Sequence, residues 1–207
     1  MDRTGERAGH GSGERIESPE PINFREIMEE LGKQHKLSET LDYIGNLLSE
    51  VNRFYEGIWS RAELPNSTVR HRIILMRHGH VKGQVLIPEL VGHKHLEGQV
   101  LVPETGSTVA EASARFRAIG PSYVNTNRIC YDNIQKQRQA PFSPIILASA
   151  NKRFRIPEEY QSNLIQPAGS FLHLDGLHRL IAWDLEGRFK DDSEGKPRLK
   201  AYIAGPI

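Results

Sequence analysis

Apolar residues recur at helical spacing early in the chain and at strand spacing later, and that change of period divides it. After Pro21, Phe24, Ile27, Met28 and Leu31 fall on one face of a short helix ending at Gly32. From about Leu37 a longer run of Leu37, Leu41, Ile44, Leu48, Val51, Tyr55 and Ile58 alternates steps of three and four and predicts a second helix with a single apolar stripe. Gly45 and Gly57 weaken that helix by roughly 1 kcal/mol each relative to alanine without erasing the period. The stripe needs cover, so it predicts packing on the rest of the protein or against a second copy; its polar opposite face argues against a membrane helix.

Beyond Leu64-Pro65-Asn66 short strands take over. His71 to Met76 reads as a strand. A near-repeat follows, in which His80-Val-Lys-Gly-Gln-Val-Leu-Ile-Pro-Glu89 is echoed 15 residues later by His95-Leu-Glu-Gly-Gln-Val-Leu-Val-Pro-Glu104. Two copies are too few for a solenoid, so they read as two strands, Gln84 to Ile87 and Gln99 to Val102, each entered after glycine and stopped by proline. Helices are expected over Val109 to Ile119, within Ile129 to Gln139 and over Leu177 to Leu185, with strands at Pro144 to Leu147, Phe171 to Leu174 and Leu199 to Ile203. Residues 148–170 and 188–198 read as polar connections. The expected class is α/β, a mixed α+β body: residues 1–20 a flexible leader, 21–66 a helical extension and 67–207 a nucleotide-binding or catalytic domain.

Charge and cysteine content narrow the functions. Lys plus Arg number 27 against 26 Asp plus Glu, a net charge of +1, so no overall basic excess favours nucleic acid or an anionic membrane. The single cysteine, Cys130, excludes an intrachain disulfide and a thiolate metal cluster. No apolar run approaches the roughly 20 residues that span a bilayer, and the first residues lack a signal-peptide core, so a cytoplasmic protein is expected.

Candidate chemistry concentrates at Phe171-Leu-His-Leu-Asp-Gly-Leu-His-Arg-Leu-Ile-Ala-Trp183. An apolar strand runs into Asp175-Gly176 and a helix starts at once. Gly176 permits a tight turn or close approach of a ligand. His178 and Arg179 occupy the first turn, where unpaired amides and the helix dipole favour an anion, and arginine adds a planar fork of donors suited to phosphate. Asp175 could accept a proton from a substrate hydroxyl, hold Mg²⁺, or only cap the helix.

With its flanking residues, Asp175-Gly-Leu-His-Arg179 resembles the ParB/sulfiredoxin-like nucleotide-binding domain over roughly Gln99 to Ala204. Val100-Leu-Val-Pro-Glu104 would be its opening strand, Ser143-Pro-Ile-Ile-Leu147 its Pro-Ile strand and Leu199-Lys-Ala-Tyr-Ile203 its closing strand; the first seventy or so residues have no counterpart. Sulfiredoxins place a reactive cysteine where Leu177 stands, which argues against that activity. ParB proteins bind CTP and carry a DNA-binding helix-turn-helix module after the fold, for which little chain follows here. The free serine kinases carry Asp-Gly-His-His-Arg, one position different, and their phosphoryl-transfer glutamate is matched by Glu104. The resemblance therefore implies a nucleotide-dependent phosphotransferase acting on a hydroxyl of a small metabolite. Glu104, Asp175 and His178 would be catalytic, Gly176, His178 and Arg179 would hold ATP or ADP, with CTP left open, and Asp175 would hold Mg²⁺. A homodimer through the N-terminal helices stays open, and a nucleotide or nucleic-acid binding module is the alternative.

Other motifs compete. Ile73-Ile-Leu-Met-Arg-His-Gly79 is similar to the opening motif of histidine phosphatases, with His78 as the residue phosphorylated. The pairs His78/His80 and His93/His95 have the two-residue spacing that puts two imidazoles on one strand face, but no nearby aspartate completes a triad. Lys136 with Arg138, and Lys152-Arg153 with Arg155, form basic sets too short to favour a DNA groove over a solvated surface. There is no phosphate-binding Gly-x-x-x-x-Gly-Lys-Ser/Thr loop, and Ser170, though followed by His173 and Asp175, lacks a nucleophile elbow.

Overall fold

Two helices, α1 (Phe24–Gln34) and α2 (Ser38–Phe54), follow a two-residue strand β1 (Glu20–Pro21). The computed structural model describes Ile16 and residues 18–34, 38–76, 101–103, 105–152, 154, 164–190 and 198–207, with the side chains of residues 38–43 and 126 outside that description. The leader up to residue 15, the strand expected at Gln84 to Ile87, most of the near-repeat and the segment from His78 to His95 lie outside the described residues. Ile27, Leu31, Leu48 and Val51 are almost wholly buried against Trp59, Ile146, Leu172 and Leu174, so the described part of the apolar stripe finds its cover on the protein's own sheet. The helix stops short of the expected Ile58, which is 53% exposed. Glu56 (φ 56°) and Gly57 (φ 74°) turn the chain out of α2, so Gly57 ends the helix instead of weakening it.

That turn leads into β2 (Trp59–Leu64), where Trp59, Ala62 and Leu64 are buried and Arg61 and Glu63 are exposed. The expected strand at His71 is shorter than predicted. Residues Asn66–Arg72 form helix α3, and only Ile73–Leu75 form β3. Val69 of α3 is buried and Arg70 Nε lies 2.7 Å from Asp184 Oδ1, contacts that hold the segment helical against its strand-like composition. Leu101 and Val102, expected in the opening strand of the resemblance, are buried in bends. A turn with Gly106 N–H donating to Pro103 O takes the chain instead to β4 (Ser107–Thr108).

Thr108 then caps α4 (Val109–Ile119): its hydroxyl accepts from Glu111 N–H while the Glu111 carboxylate accepts from Thr108 N–H. A short 3-10 turn leads to α5 (Tyr123–Gln137), and β5 (Ile145–Ser149), β6 (Phe171–Asp175), α6 (Leu177–Leu185) and β7 (Leu199–Ala204) complete the elements. The fold is mixed α/β, with an N-terminal helical stretch and an open seven-stranded sheet ordered β1-β2-β7-β5-β6-β3-β4. Pairs β5/β7 and β3/β6 run parallel and the others antiparallel. Helices α1 and α2 cover one face, and α3 to α6 cover the other. That explains the unbroken apolar run of β5, whose Ile145 and Leu147 face one helical layer while Ile146 and Ala148 face the other. Among the described residues no helix is long and apolar enough to cross a membrane.

Candidate functional site

The β6–α6 junction holds four of the residues singled out in the sequence. Ile146 of β5 pairs with Asp175, but its neighbour Leu147 pairs with His173, so β6 spends an extra residue just before its end. Such a bulge bends a strand and re-aims its side chains. Gly176 follows at φ 108°, ψ 13°, and a Cβ added there would lie 2.7 Å from Ile145 Cγ2. Both the backbone angle and the closeness of β5 demand glycine. Gly176 at the N-cap position has no side chain with which to cap α6, whose first intrahelical bond runs from Leu180 N–H to Gly176 O at 2.9 Å. The amides of Leu177, His178 and Arg179 therefore have no partner within the helix. His178 is half-buried in this first turn.

Arg179 gathers the site. Its Nη2 donates to Asp175 Oδ2 at 2.5 Å, one helical turn back, and the two side chains are only 12% and 10% exposed. Its Nη1 lies 2.7 Å from Gln34 Oε1, 2.6 Å from Ser143 Oγ and 3.0 Å from Pro144 O. Gln34, the last residue of α1, reaches the site from the helical layer on the far face of the sheet. Neither Gln34 nor the Ser143 hydroxyl was marked by sequence; Ser143-Pro144 stood out only as a strand entrance. Asp175 and Arg179 form a nearly neutral pair, so a phosphate entering here would displace a neutral acceptor of Arg179.

Of the other candidates, some lie outside the described residues and others have a structural use. Glu104, His78, His80, His93, His95, Arg153 and Arg155 lie outside the described residues. Lys152 is exposed, its ammonium 4.8 Å from the centre of the Phe54 ring. His173 is wholly buried, and its Nδ1 accepts the Met76 N–H at 2.8 Å, so it serves the junction of β6 with the end of β3. Ser170 Oγ donates to Pro167 O at 2.6 Å within a turn. Cys130 is 4% exposed on α5, where burial pushes its thiol up to about 11 despite a hydrogen bond with Tyr123; an inert thiol fits that setting. Among the described residues no three His, Cys, Asp or Glu side chains gather to hold a metal.

One polar centre went unmarked by sequence. Asp184, 1% exposed in the apolar stretch of α6, takes Arg70 of α3 at 2.7 Å and has Arg117 of α4 at 3.9 Å. A carboxylate inside Leu180-Ile-Ala-Trp-Asp-Leu185 was the available signal: a charge on a buried face requires a partner. Asp184 fastens three helices to one another and lies away from the Gly176 turn, toward the other end of α6.

Residues 16–207 match a family described as a family of unknown function, DUF6309. The chain belongs to this family. The DUF6309 match takes in α1 and α2 together with the Asp175 turn, so the helical layer and the α/β body fall within one family unit. No curated protein matches the chain, and no solved structure does.

Proposed function

We propose that this DUF6309 protein binds a nucleotide by its phosphates at the Gly176 turn and transfers a phosphoryl group to a hydroxyl of a small metabolite. The carrying observation is the meeting, at one helix start, of Gly176 at φ 108°, the carboxylate of Asp175 and the guanidinium of Arg179. Gly176 has no side chain of its own to set over the first turn, and the amides at a helix start stabilise the charge of a phosphate. Arg179 is already oriented by its acceptors and needs only to exchange one of them for a phosphate oxygen. Asp175 offers a single carboxylate, which suits a Mg²⁺ arriving on nucleotide phosphates and is too little for a resident all-protein metal cage. With the ion bound, it would neutralise the phosphate oxygens; Glu104 would take the acceptor proton, and His178 would donate to the phosphate from the first turn. Kinship with the ParB/sulfiredoxin-like fold belongs to the same proposal, supported by this turn and by strands at Ile145 and Leu199, as does a cytoplasmic setting. A second reading, nucleotide sensing without transfer, is favoured by the Asp175–Arg179 pair itself, because a carboxylate held by an arginine is a poor proton acceptor.

Titration calorimetry with ATP, ADP and CTP in Mg²⁺, followed by phosphorus NMR with a pool of hydroxyl metabolites, tests both. Arg179→Ala should weaken nucleotide binding by about 1–3 kcal/mol. Asp175→Ala should abolish the phosphomonoester product and Glu104→Gln should strongly reduce it. Failure of the folded protein to bind any of the three nucleotides refutes the proposal; binding without product selects the sensor.

A further inference from the structure

A second cluster of arginines lies at the other end of α6, where the C-terminal ends of α5 and α6 converge. An open, shallow cleft of about 440 Å³ there is lined by Arg138, Gln139, Ala140, Pro141, Glu186 and Arg188. Arg138 is accounted for by the protein: it caps α5, pairs through Nε with Glu186 and donates from Nη1 to Gln135, and a cation at a helix C-terminus is favourable. Arg188 is different. Its guanidinium sits 3.9 Å from the centre of the Phe142 ring and 5.5 Å from that of Trp183, and its Nη1 donates to Ala140 O at 2.6 Å. Trp183 Nε1 donates to the same carbonyl at 3.1 Å, which fixes the strand entrance against the helix.

The stack and the Ala140 bond hold the plane of Arg188 but engage only one terminal nitrogen. Among the described residues no protein acceptor meets Nε or Nη2, the two nitrogens that form the side-on fork of a guanidinium. Burial pushes this guanidinium below its usual range, while the charge of Glu186, itself paired with Arg138, acts the other way. A rigid fork with its donors aligned is the geometry that takes a carboxylate or phosphate in two parallel bonds.

We propose that this cleft binds a small anion bearing a carboxylate or phosphate group, held side-on by Nε and Nη2 of Arg188, with Arg138 adding a second positive charge. The site is independent of the Gly176 turn and does not rest on phosphoryl transfer.

The experiment follows arginine Nε–H signals of the full ¹⁵N-labelled chain by NMR at low ionic strength, with acetate and inorganic phosphate added separately. The Arg188 signal should shift saturably, and the anion saturating at lower concentration identifies the head group. Arg188→Lys keeps a cation over Phe142 but loses the fork, and should weaken binding about tenfold. Arg138→Gln, which leaves the stack intact, should weaken it about threefold. A non-saturating drift of Arg188 with both anions overturns the proposal, as does wild-type affinity in a folded Arg188→Lys protein; if that variant does not fold, wild-type affinity in Arg138→Gln overturns it instead. Saturation seen only at Arg179 overturns it too, and assigns the anion to the Gly176 turn.

Discussion

Replacing Gly176 with alanine isolates what the β6–α6 turn demands. Two costs are expected. A side chain at φ 108° carries the left-handed penalty, about 1–2 kcal/mol. The new methyl also falls 2.7 Å from Ile145 Cγ2 and 3.3 Å from Ile145 Cβ, inside a strand packed on both faces, and overpacking of that kind costs about 1–3 kcal/mol. Together they give roughly 2–5 kcal/mol, a large share of the about 5–15 kcal/mol that holds a domain folded. Gly187→Ala is the control: its φ is 73°, but the nearest atoms its Cβ would meet belong to the flexible Lys190 side chain, at 3.2 Å, so it carries the conformational cost nearly alone. Urea unfolding followed by tryptophan fluorescence suits both variants, because Trp59 and Trp183 are buried on opposite faces of the sheet. Ile145→Ala removes the clashing methyl, so Gly176→Ala should cost less in that background by about 1–2 kcal/mol. If Gly176→Ala and Gly187→Ala destabilise equally, and Ile145→Ala leaves the difference unchanged, the close-approach reasoning fails and Gly176 is there for its backbone angle alone.

Asp184→Asn should cost about 2–3 kcal/mol in the same unfolding assay, since it strands the partly buried Arg70; a change below about 0.5 kcal/mol would show that the ion pair contributes nothing. His173→Leu should cost about 1–3 kcal/mol by leaving the Met76 amide without its acceptor, whereas His173→Asn, which can put an oxygen where Nδ1 stands, should recover part of that loss; equal losses would refute the hydrogen-bond argument. Cys130 should resist thiol reagents in the native protein. Because its thiol is raised from 9.0 to about 11, the unfolded chain gives up that proton first as pH climbs, so stability present below pH 9 should fall by about 2 kcal/mol between pH 9 and 11, and Cys130→Ala should flatten that slope.

The C-terminal half was largely legible in the sequence because its elements carry local signals. Glycine closes α6 at Gly187, glycine ends α4 at Gly120, and β5, β6 and β7 are short apolar runs bounded by polar segments. The first third was harder. Ile58 continued the helical spacing of α2 past its true end, hiding the turn at Glu56-Gly57 and all of β2, whose place is fixed by pairing with β7 far away in sequence. At His71-Arg72 the composition favoured a strand, and the ion pair of Arg70 with Asp184, a long-range contact, goes with a helix. For the site, the five residues of the turn announced themselves by adjacency, and the structure brings Asp175 and Arg179 into contact. Gln34 could not be read, because its part in the cluster depends on where α1 lies across the sheet.

The placement of β7 has a consequence for synthesis of the chain. It lies between β2 and β5, with Trp59 opposite Ala204 and Ile145 beside Ala201, so it alone joins the β1-β2 ribbon to the rest of the sheet. A nascent chain that has not yet reached Leu199 has both halves but nothing to zip them. The facing edges of β2 and β5 stand bare together, with rows of backbone donors and acceptors open to any other strand. Such a chain has the long-range pairings of β7 with β2 and β5 still to make, which slows assembly and lengthens its exposure to neighbours. Truncations ending before Leu199 should therefore accumulate as aggregates and not as smaller folded bodies, and chaperone capture during translation should matter more for this topology than its modest size suggests.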